Sequence, residues 1–454
     1  MKHECSESAE RWSITNRLLG AYPQKQSGLF MQRIKIFGGR INWPQWRKIA
    51  ELAKFYCNGF PLHISTRQDI ELHNITIENL PPVQRVLTEV GLTIFGACGD
   101  TVRNITVCTG CDFHNDGYDL LPLAQLVRFY LDERSVILNL PRKFKISFSG
   151  CKKACAKPWL NDLGFIVQED GLFTVIGAGS LGPRPALGIE LYRDLPARDV
   201  LPLCIAAIEL FHQHGDRENR HRARFRHIRE KFGDTAFRTQ LNNRFILLKE
   251  GQVWPDIAPA RNGNSDIKLL FRLQLPNGNI DAGQAVELAD LAEPQGAILR
   301  INLEHGLELY GIESFPLPDS FAKLMKNPII VACPGSATCQ RGLVDCWSTA
   351  DSIREAFSGD NLSDVRINIS GCPNNCGQSA VADIGLIGML RKVDGRQVPY
   401  YHVLKSGGNG QSNMPAQECC IASAGDIPNI IRSIRQGGRC YTNCNCRQCP
   451  DTTA

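Results

Sequence analysis

The sequence predicts an α+β protein in which one unit is built twice. Each copy is a small ferredoxin-like α/β lobe followed by a larger mixed α/β lobe, in a pseudo-twofold arrangement. Three observations predict it. A cysteine turn starting at Ser149, Ser-Gly-Cys-x3-Cys, runs through six residues into Asp, an aliphatic residue, Gly, one residue and Ile, and recurs from Ser370. Shorter blocks match in the same order: "RIKIFGGRI" from Arg33 with "RLQLPNGNI" from Arg272, "ELA" at Glu51 with Glu287, "STRQDIELHNI" from Ser65 with "NLEHGLELYGI" from Asn302, and "KISFSGC" from Lys145 with "RINISGC" from Arg366. Strand and helix patterns also alternate within each copy.

Taken in chain order, residues 1–27 read as an N-terminal extension. Its start, "MKHECSESAERWS", has no apolar core, so no secretory signal is expected. In residues 28–97, "GLFMQRIKIF" and "DIELHNI" alternate as half-buried strands do, and "WPQWRKIAELAKFY" between them has helical spacing. Strand, helix and strand make this the first ferredoxin-like half-domain. Residues 98–235 form the first cysteine-bearing lobe. It ends in the basic segment from His214 to Asp234, read as a solvated linker helix, with docking of an acidic electron donor as the lesser reading. Residues 236–325 supply a linker and the second half-domain, 326–436 the second cysteine-bearing lobe, and 437–454 a Cys-rich tail.

A chain of 454 residues exceeds one ordinary domain, and 43% hydrophobic with 21% charged residues is usual for a globular protein. No apolar run approaches the ~20 residues of a membrane span. The net charge of +5 is too mild to point to nucleic acid. Nineteen cysteines in a long chain without an export signal point to a reducing, cytoplasmic setting and to metal or Fe–S binding. Cys57, Cys98 and Cys204 stand alone and read as buried small hydrophobes.

In the second copy, "CPGSATC" provides Cys333 and Cys339, and "GCPNNC" provides Cys372 and Cys376. Four thiolates on two short loops can close round one [4Fe–4S] cube, whose irons each take one protein ligand. Zinc sites pair cysteines two to four residues apart, so the five-residue gap favours a cluster over zinc, with free thiols the blandest alternative. The first copy is basic instead. "STRQDIELH" carries Arg67, "TVRNIT" Arg103, and "PRKFK" Lys143 and Lys145, whose alternation sets both lysines on one side of a strand. The matching positions in the second copy are Glu304, Asp364 and Arg366. That asymmetry favours one anion pocket over two equivalent surfaces.

Cys-x5-Cys followed by Cys-x3-Cys, with "GCPNNCGQ" running into "ADIGLIG", resembles the siroheme and [4Fe–4S] signature of the sulfite/nitrite reductase family. The resemblance extends from Gly28 to about Arg435. It implies that 98–235 and 326–436 are the two copies of that family's domain. It further implies that Cys333, Cys339, Cys372 and Cys376 hold the cluster and that Cys376 bridges to the siroheme iron. By the same resemblance Arg67, Arg103, Lys143 and Lys145 bind the substrate oxyanion, where fixed donors and compensating charge assist loss of oxygen.

The first copy has cysteines of its own, Cys108 and Cys111 in "CTGC" and then Cys151 and Cys155. Their Cys-x2-Cys spacing and the intervening Lys152 and Lys153 favour a relic of duplication, with a second cluster or a metal such as zinc as the alternative. Cys440, Cys444, Cys446 and Cys449 in the tail could likewise hold a cluster or zinc.

The resemblance implies a cytoplasmic oxidoreductase reducing sulfite to sulfide in six one-electron steps. Within the family, the "RKFK" pattern resembles sulfite reductases, and nitrite reductases tend to carry Asn at the place of Lys145. The alternatives are nitrite reduction to ammonia on the same scaffold, the ring-modifying oxygenase of corrin synthesis, and a non-catalytic siroheme/Fe–S electron-transfer protein. The chain has no Gly-rich dinucleotide motif following a strand. Electrons are therefore expected from a ferredoxin, a flavoprotein, or the tail if it carries a cluster.

Overall fold

The structure is a computed structural model that describes residues 15–113, 117–261, 266–359, 362 and 365–437. Its contacts divide the chain into two compact units. One comprises residues up to 180 with 186–327 and 411–413. The other comprises 181–185, 328–410 and the residues from 414 on.

The first unit contains both ferredoxin-like halves. In the first, helix Trp43–Tyr56 starts at a capping box: Asn42 Oδ1 accepts from the Gln45 amide at 2.8 Å, and Gln45 Oε1 accepts from the Asn42 amide at 3.4 Å. Its counterpart Ala282–Ala292 is capped by Asp281, whose carboxylate accepts from the Gly283 amide at 2.7 Å. The two helices pack together. Trp46 Nε1 donates to the Ala285 carbonyl at 2.7 Å, and Trp43 Nε1 to that of Ala297 at 2.7 Å. Burying both indoles with their N–H groups satisfied removes the penalty a buried donor would otherwise carry.

Beneath the first helix lie antiparallel strands Ala21–Pro23, Leu29–Lys35, Asp69–Thr76 and Leu62–Ile64 in that spatial order, extended by Asn279–Ile280 from the second half. The second half forms its own antiparallel sheet from Lys268–Gln274, Gly306–Gly311 and Ile298–Ile301. One hydrophobic core, including Ile34, Trp46, Leu72, Leu288 and Leu307, serves both halves. The duplication is visible atom by atom. Arg33 pairs with Glu71 at 2.7 Å and Arg272 with Glu308 at 3.0 Å. The short turns Phe37–Gly39 and Pro276–Gly278 each place their second residue in the left-handed region, Gly38 at φ 55° and Asn277 at φ 57°.

The two cysteine lobes also share a topology. In the first unit, Thr106–Val107, Ile146–Ser149 and Leu163–Val167 pair in parallel, and Phe173–Gly177 and Ile189–Leu195 continue antiparallel. In the second, Ile330–Ala332, Ile367–Ser370 and Ile384–Val393 are parallel, followed antiparallel by Arg396–Lys405 and Gln417–Ser423. The fold is therefore mixed α/β and duplicated, as the repeated blocks predict.

The basic segment from His214 to Asp234 departs from the expectation of a solvated linker. Ala223, Phe225 and Ile228 are buried, helix Arg226–Phe232 packs with helix Asp234–Gly251, and Arg224 is only 9% exposed. Charge density concealed an apolar face at Ala223, Phe225 and Ile228. No helix among the described residues is long and apolar enough to cross a membrane.

Candidate functional site

In the second unit, Cys333 follows strand Ile330–Ala332, and Cys372 and Cys376 follow strand Ile367–Ser370. The Cys333 amide donates to the Ile369 carbonyl at 3.0 Å, and the Gly371 amide donates to Cys333 Sγ at 3.2 Å. Three glycines let the two loops interlock. A Cβ on Gly371 would lie 2.6 Å from Gly335 Cα, one on Gly335 2.1 Å from the Val344 carbonyl oxygen, and one on Gly342 2.2 Å from the Gly335 carbonyl carbon. Cys333 and Cys372 are half-buried, while Cys339 and Cys376 are exposed. Burial raises the Cys372 thiol, and the nearby Cys333 and Cys339 add to the shift.

The cysteine turn is held from within by Asn375, at φ 59°. Its Oδ1 accepts from the Ala380 amide at 3.2 Å, while its Nδ2 is buried with no partner among the described residues. A buried donor beside Cys376, four thiols on two loops and an N–H aimed at sulfur all fit an anionic Fe–S cluster. Cys346, which lies between the two cysteine pairs in the chain, is fully buried with its Sγ 3.9 Å from that of Cys333. It supports the loops from beneath.

The two arginines of the first unit's basic set, Arg67 and Arg103, are held by amide and backbone carbonyl oxygens. Arg67 lies in the turn before strand Asp69–Thr76; its Nη1 donates to Asn161 Oδ1 and its Nη2 to the Ile146 carbonyl, both at 2.9 Å. Its Nε is buried without a partner among the described residues. Burial pulls the Arg67 guanidinium down to about 9, with the Asp69 and Asp162 carboxylates opposing. Arg103 donates to the carbonyls of Ala97 at 3.0 Å and Gly99 at 2.8 Å, and burial lowers it as well. Lys143 and Lys145 are half-buried on either side of Phe144, which packs against Phe211 and Phe225. The first residue of "RKFK", Arg142, instead pairs with Asp100 at 3.2 Å.

Sequence reasoning missed the residues that organise this group. Asp162 is fully buried and accepts from the Lys145 amide at 2.9 Å and from Arg224 Nη2 at 2.7 Å. The repeat supplied a signal, since Asp383 accepts from the Arg366 amide at 3.0 Å in the same way. Arg224 carried none, being one cation in a basic run. Lys35 was also missed. It is buried, its Nζ donates to the Val102 carbonyl at 3.4 Å, and desolvation lowers it to about 8.

The first-unit cysteines come together. Cys108, Cys111 and Cys151 place their sulfurs within 4.8 Å of one another, and Cys155 Sγ lies 3.5 Å from Cys151 Sγ. Cys440, Cys444, Cys446, Cys449 and Asp364 lie outside the described residues.

Comparison with known proteins bears on this arrangement. The profile described as "Nitrite and sulphite reductase 4Fe-4S domain" matches residues 98–246 and 327–436. That of the "Nitrite/Sulfite reductase ferredoxin-like half domain" matches 22–90. The assimilatory ferredoxin-dependent nitrite reductase of Haloferax mediterranei is 30% identical over 462 aligned residues, covering 89% of this chain and 78% of the relative. The ferredoxin–nitrite reductase of Synechococcus elongatus is 27% identical, covering 90% and 86%. The Mycobacterium tuberculosis NirA structure shares the fold, with a TM-score of 0.75 and 20% identity over 93% of this chain and 86% of that one.

These relatives overturn the expectation that sulfite is the principal substrate, because those that align along most of the chain are named nitrite reductases. The "RKFK" pattern at Lys145 did not indicate the substrate, for a physical reason. Half-buried cations attract any small oxyanion, and one ammonium does not separate two of them. With both cysteine lobes and a ferredoxin-like half matched, the chain belongs to the nitrite and sulphite reductase family of siroheme- and [4Fe–4S]-dependent oxidoreductases.

Proposed function

We propose that this protein reduces nitrite to ammonium, taking six electrons and eight protons per nitrite and releasing two waters, with a reduced ferredoxin as donor. The observation that carries the reading is the 30% identity, along 89% of the chain, with a ferredoxin-dependent nitrite reductase. Cys333, Cys339, Cys372 and Cys376 would hold the [4Fe–4S] cluster, with Cys376 the residue that would also serve the siroheme. Siroheme, when bound, supplies the redox centre for cleavage of the N–O bonds.

The chain's own residues recognise the anion and manage its protons. Arg67 and Arg103, anchored on carbonyls, present fixed positive charge to nitrite. Lys143 and Lys145 add ammonium groups that can donate protons as oxygen departs. Purified holoenzyme with reduced ferredoxin should consume nitrite and form ammonium one for one, with six electrons withdrawn per nitrite. Siroheme absorption bands should shift when nitrite is added. Absence of siroheme, or siroheme with no nitrite turnover under any reduced donor, would overturn the proposal.

A further inference from the structure

Four cysteines of the first unit converge on one small cluster. Strand Thr106–Val107 leads into Cys108, and Gly110, at φ 79°, turns the chain so that Cys111 Sγ comes within 3.0 Å of Cys108 Sγ. Gly110 has no room for a side chain, since a Cβ there would meet Tyr310 Oη at 2.4 Å. Cys151 arrives on the turn after strand Ile146–Ser149. That turn can approach because Gly150 lacks a Cβ, which would stand 2.8 Å from Cys111 Cβ. The Gly150 amide donates to Cys108 Sγ at 2.9 Å, the kind of outer contact that orients a thiolate ligand. Ala154 and Lys157, at φ 53° and 55°, bend the turn so that Cys155 returns beside Cys151. Cys108, Cys111, Cys151 and Cys155, with Ala156 and Leu303, form a small cluster of their own.

We propose that Cys108, Cys111, Cys151 and Cys155 bind one zinc ion as a structural site of four thiolates. Zn–S bonds of ~2.3 Å in a tetrahedron set neighbouring sulfurs about 3.8 Å apart. Separations of 3.0 and 3.5 Å, with three sulfurs inside 4.8 Å, match that scale. Thiolates at the outer corners of a [4Fe–4S] cube stand much farther apart. Among the described residues, no three of Cys333, Cys339, Cys372 and Cys376 are gathered as tightly. The spacing agrees: Cys-x2-Cys and Cys-x3-Cys lie within the range of zinc pairs, and the Cys-x5-Cys of the second unit does not. Four thiolates leave a zinc site at a net charge of −2, and Lys153 near Cys155 offsets part of it. The ion would staple the loop after Thr106–Val107 to the turn that leads into Asn161 and Asp162, the partners of Arg67 and Lys145.

The test is metal content of the purified holoprotein by inductively coupled plasma mass spectrometry, with zinc X-ray absorption. The expected result is about one zinc and about five irons per chain, four from one cube and one from siroheme. Zinc should show four sulfur neighbours at ~2.3 Å. The double variant Cys108→Ser with Cys151→Ser should lose zinc and keep its iron and siroheme bands. Iron near nine per chain, or a fall of about four irons in the variant, would establish a second cluster and overturn the proposal. Zinc that survives in this variant but is lost in Cys444→Ser with Cys446→Ser would place the ion in the tail and also overturn it. If the first variant does not accumulate, the wild-type result decides, since absent zinc or nitrogen and oxygen neighbours would refute a four-thiolate site. The outcome does not depend on the nitrite reading.

Discussion

The turn after Ile146–Ser149 and the turn after Ile367–Ser370 are built on one plan. Each follows the middle strand of three parallel ones, and each donates a glycine amide to the sulfur that begins the neighbouring loop, Gly150 to Cys108 and Gly371 to Cys333. Each has two left-handed residues at matching positions, Ala154 and Lys157 in one, Asn375 and Gln378 in the other. They differ in the opposing loop, which returns after two intervening residues in the first copy and five in the second. A short loop draws its second sulfur tight against the first; a long one carries it outward. On the proposals above, the same turn would hold a zinc ion in one copy and a cluster in the other, with the length of the facing loop setting which.

The largest contrast should come from the last cysteine of each turn. Cys376→Ser is expected to remove siroheme absorbance and most of the bound iron, whereas Cys155→Ser should leave both in place. Spectra and iron analysis of the two variants would decide it, and equal losses would erase the distinction.

The buried aspartates give the next contrast. Asp162 is fully buried against Arg224, while the half-buried Asp383 accepts from Asn409 Nδ2 at 2.9 Å. Asp162→Asn strands a buried guanidinium and should cost about 3–5 kcal/mol in urea unfolding. Asp383→Asn loses only a charge-assisted hydrogen bond and should cost about 1–2 kcal/mol. Similar costs would mean that Arg224 finds other compensation.

Glycine variants should separate the two sites again. In Gly371→Ala the new methyl would press on the backbone of Gly335, and in Gly150→Ala on the Tyr118 carbonyl oxygen at 2.3 Å. Each should lose about 1–3 kcal/mol of stability. The first should shed iron and the second zinc, which metal analysis of both proteins would establish.

The smallest effect concerns Lys35, whose burial lowers it to about 8 from an ordinary 10.5. Below pH 8 both folded and unfolded chains hold the proton, and the folded state bears the full cost of a buried charge. Between about 8 and 10.5 the unfolded chain alone keeps it, so that cost fades as pH rises. Lys35→Met should therefore melt higher than wild type at pH 7, by an amount that shrinks toward pH 10. A constant difference in melting temperature across that range would show that packing, not charge, controls this position.

The duplication, the ferredoxin-like halves and the family were all legible in the sequence. Turn geometry is local: Ser-Gly-Cys-x3-Cys and its trailing Asp specify backbone bends and hydrogen bonds wherever they occur. Repeated strand patterns specify which residues face a core. What only tertiary structure decided were distances between segments far apart in the chain. That Arg224 reaches Asp162, that Lys35 is enclosed, and that Cys108 and Cys151 meet at 4.8 Å or less follow from how strands and helices stack. Substrate choice eluded the residue pattern for a related reason. Anion selectivity depends on small differences among solvation, shape and charge in a pocket, and four cations named in a sequence define only the sign of the guest.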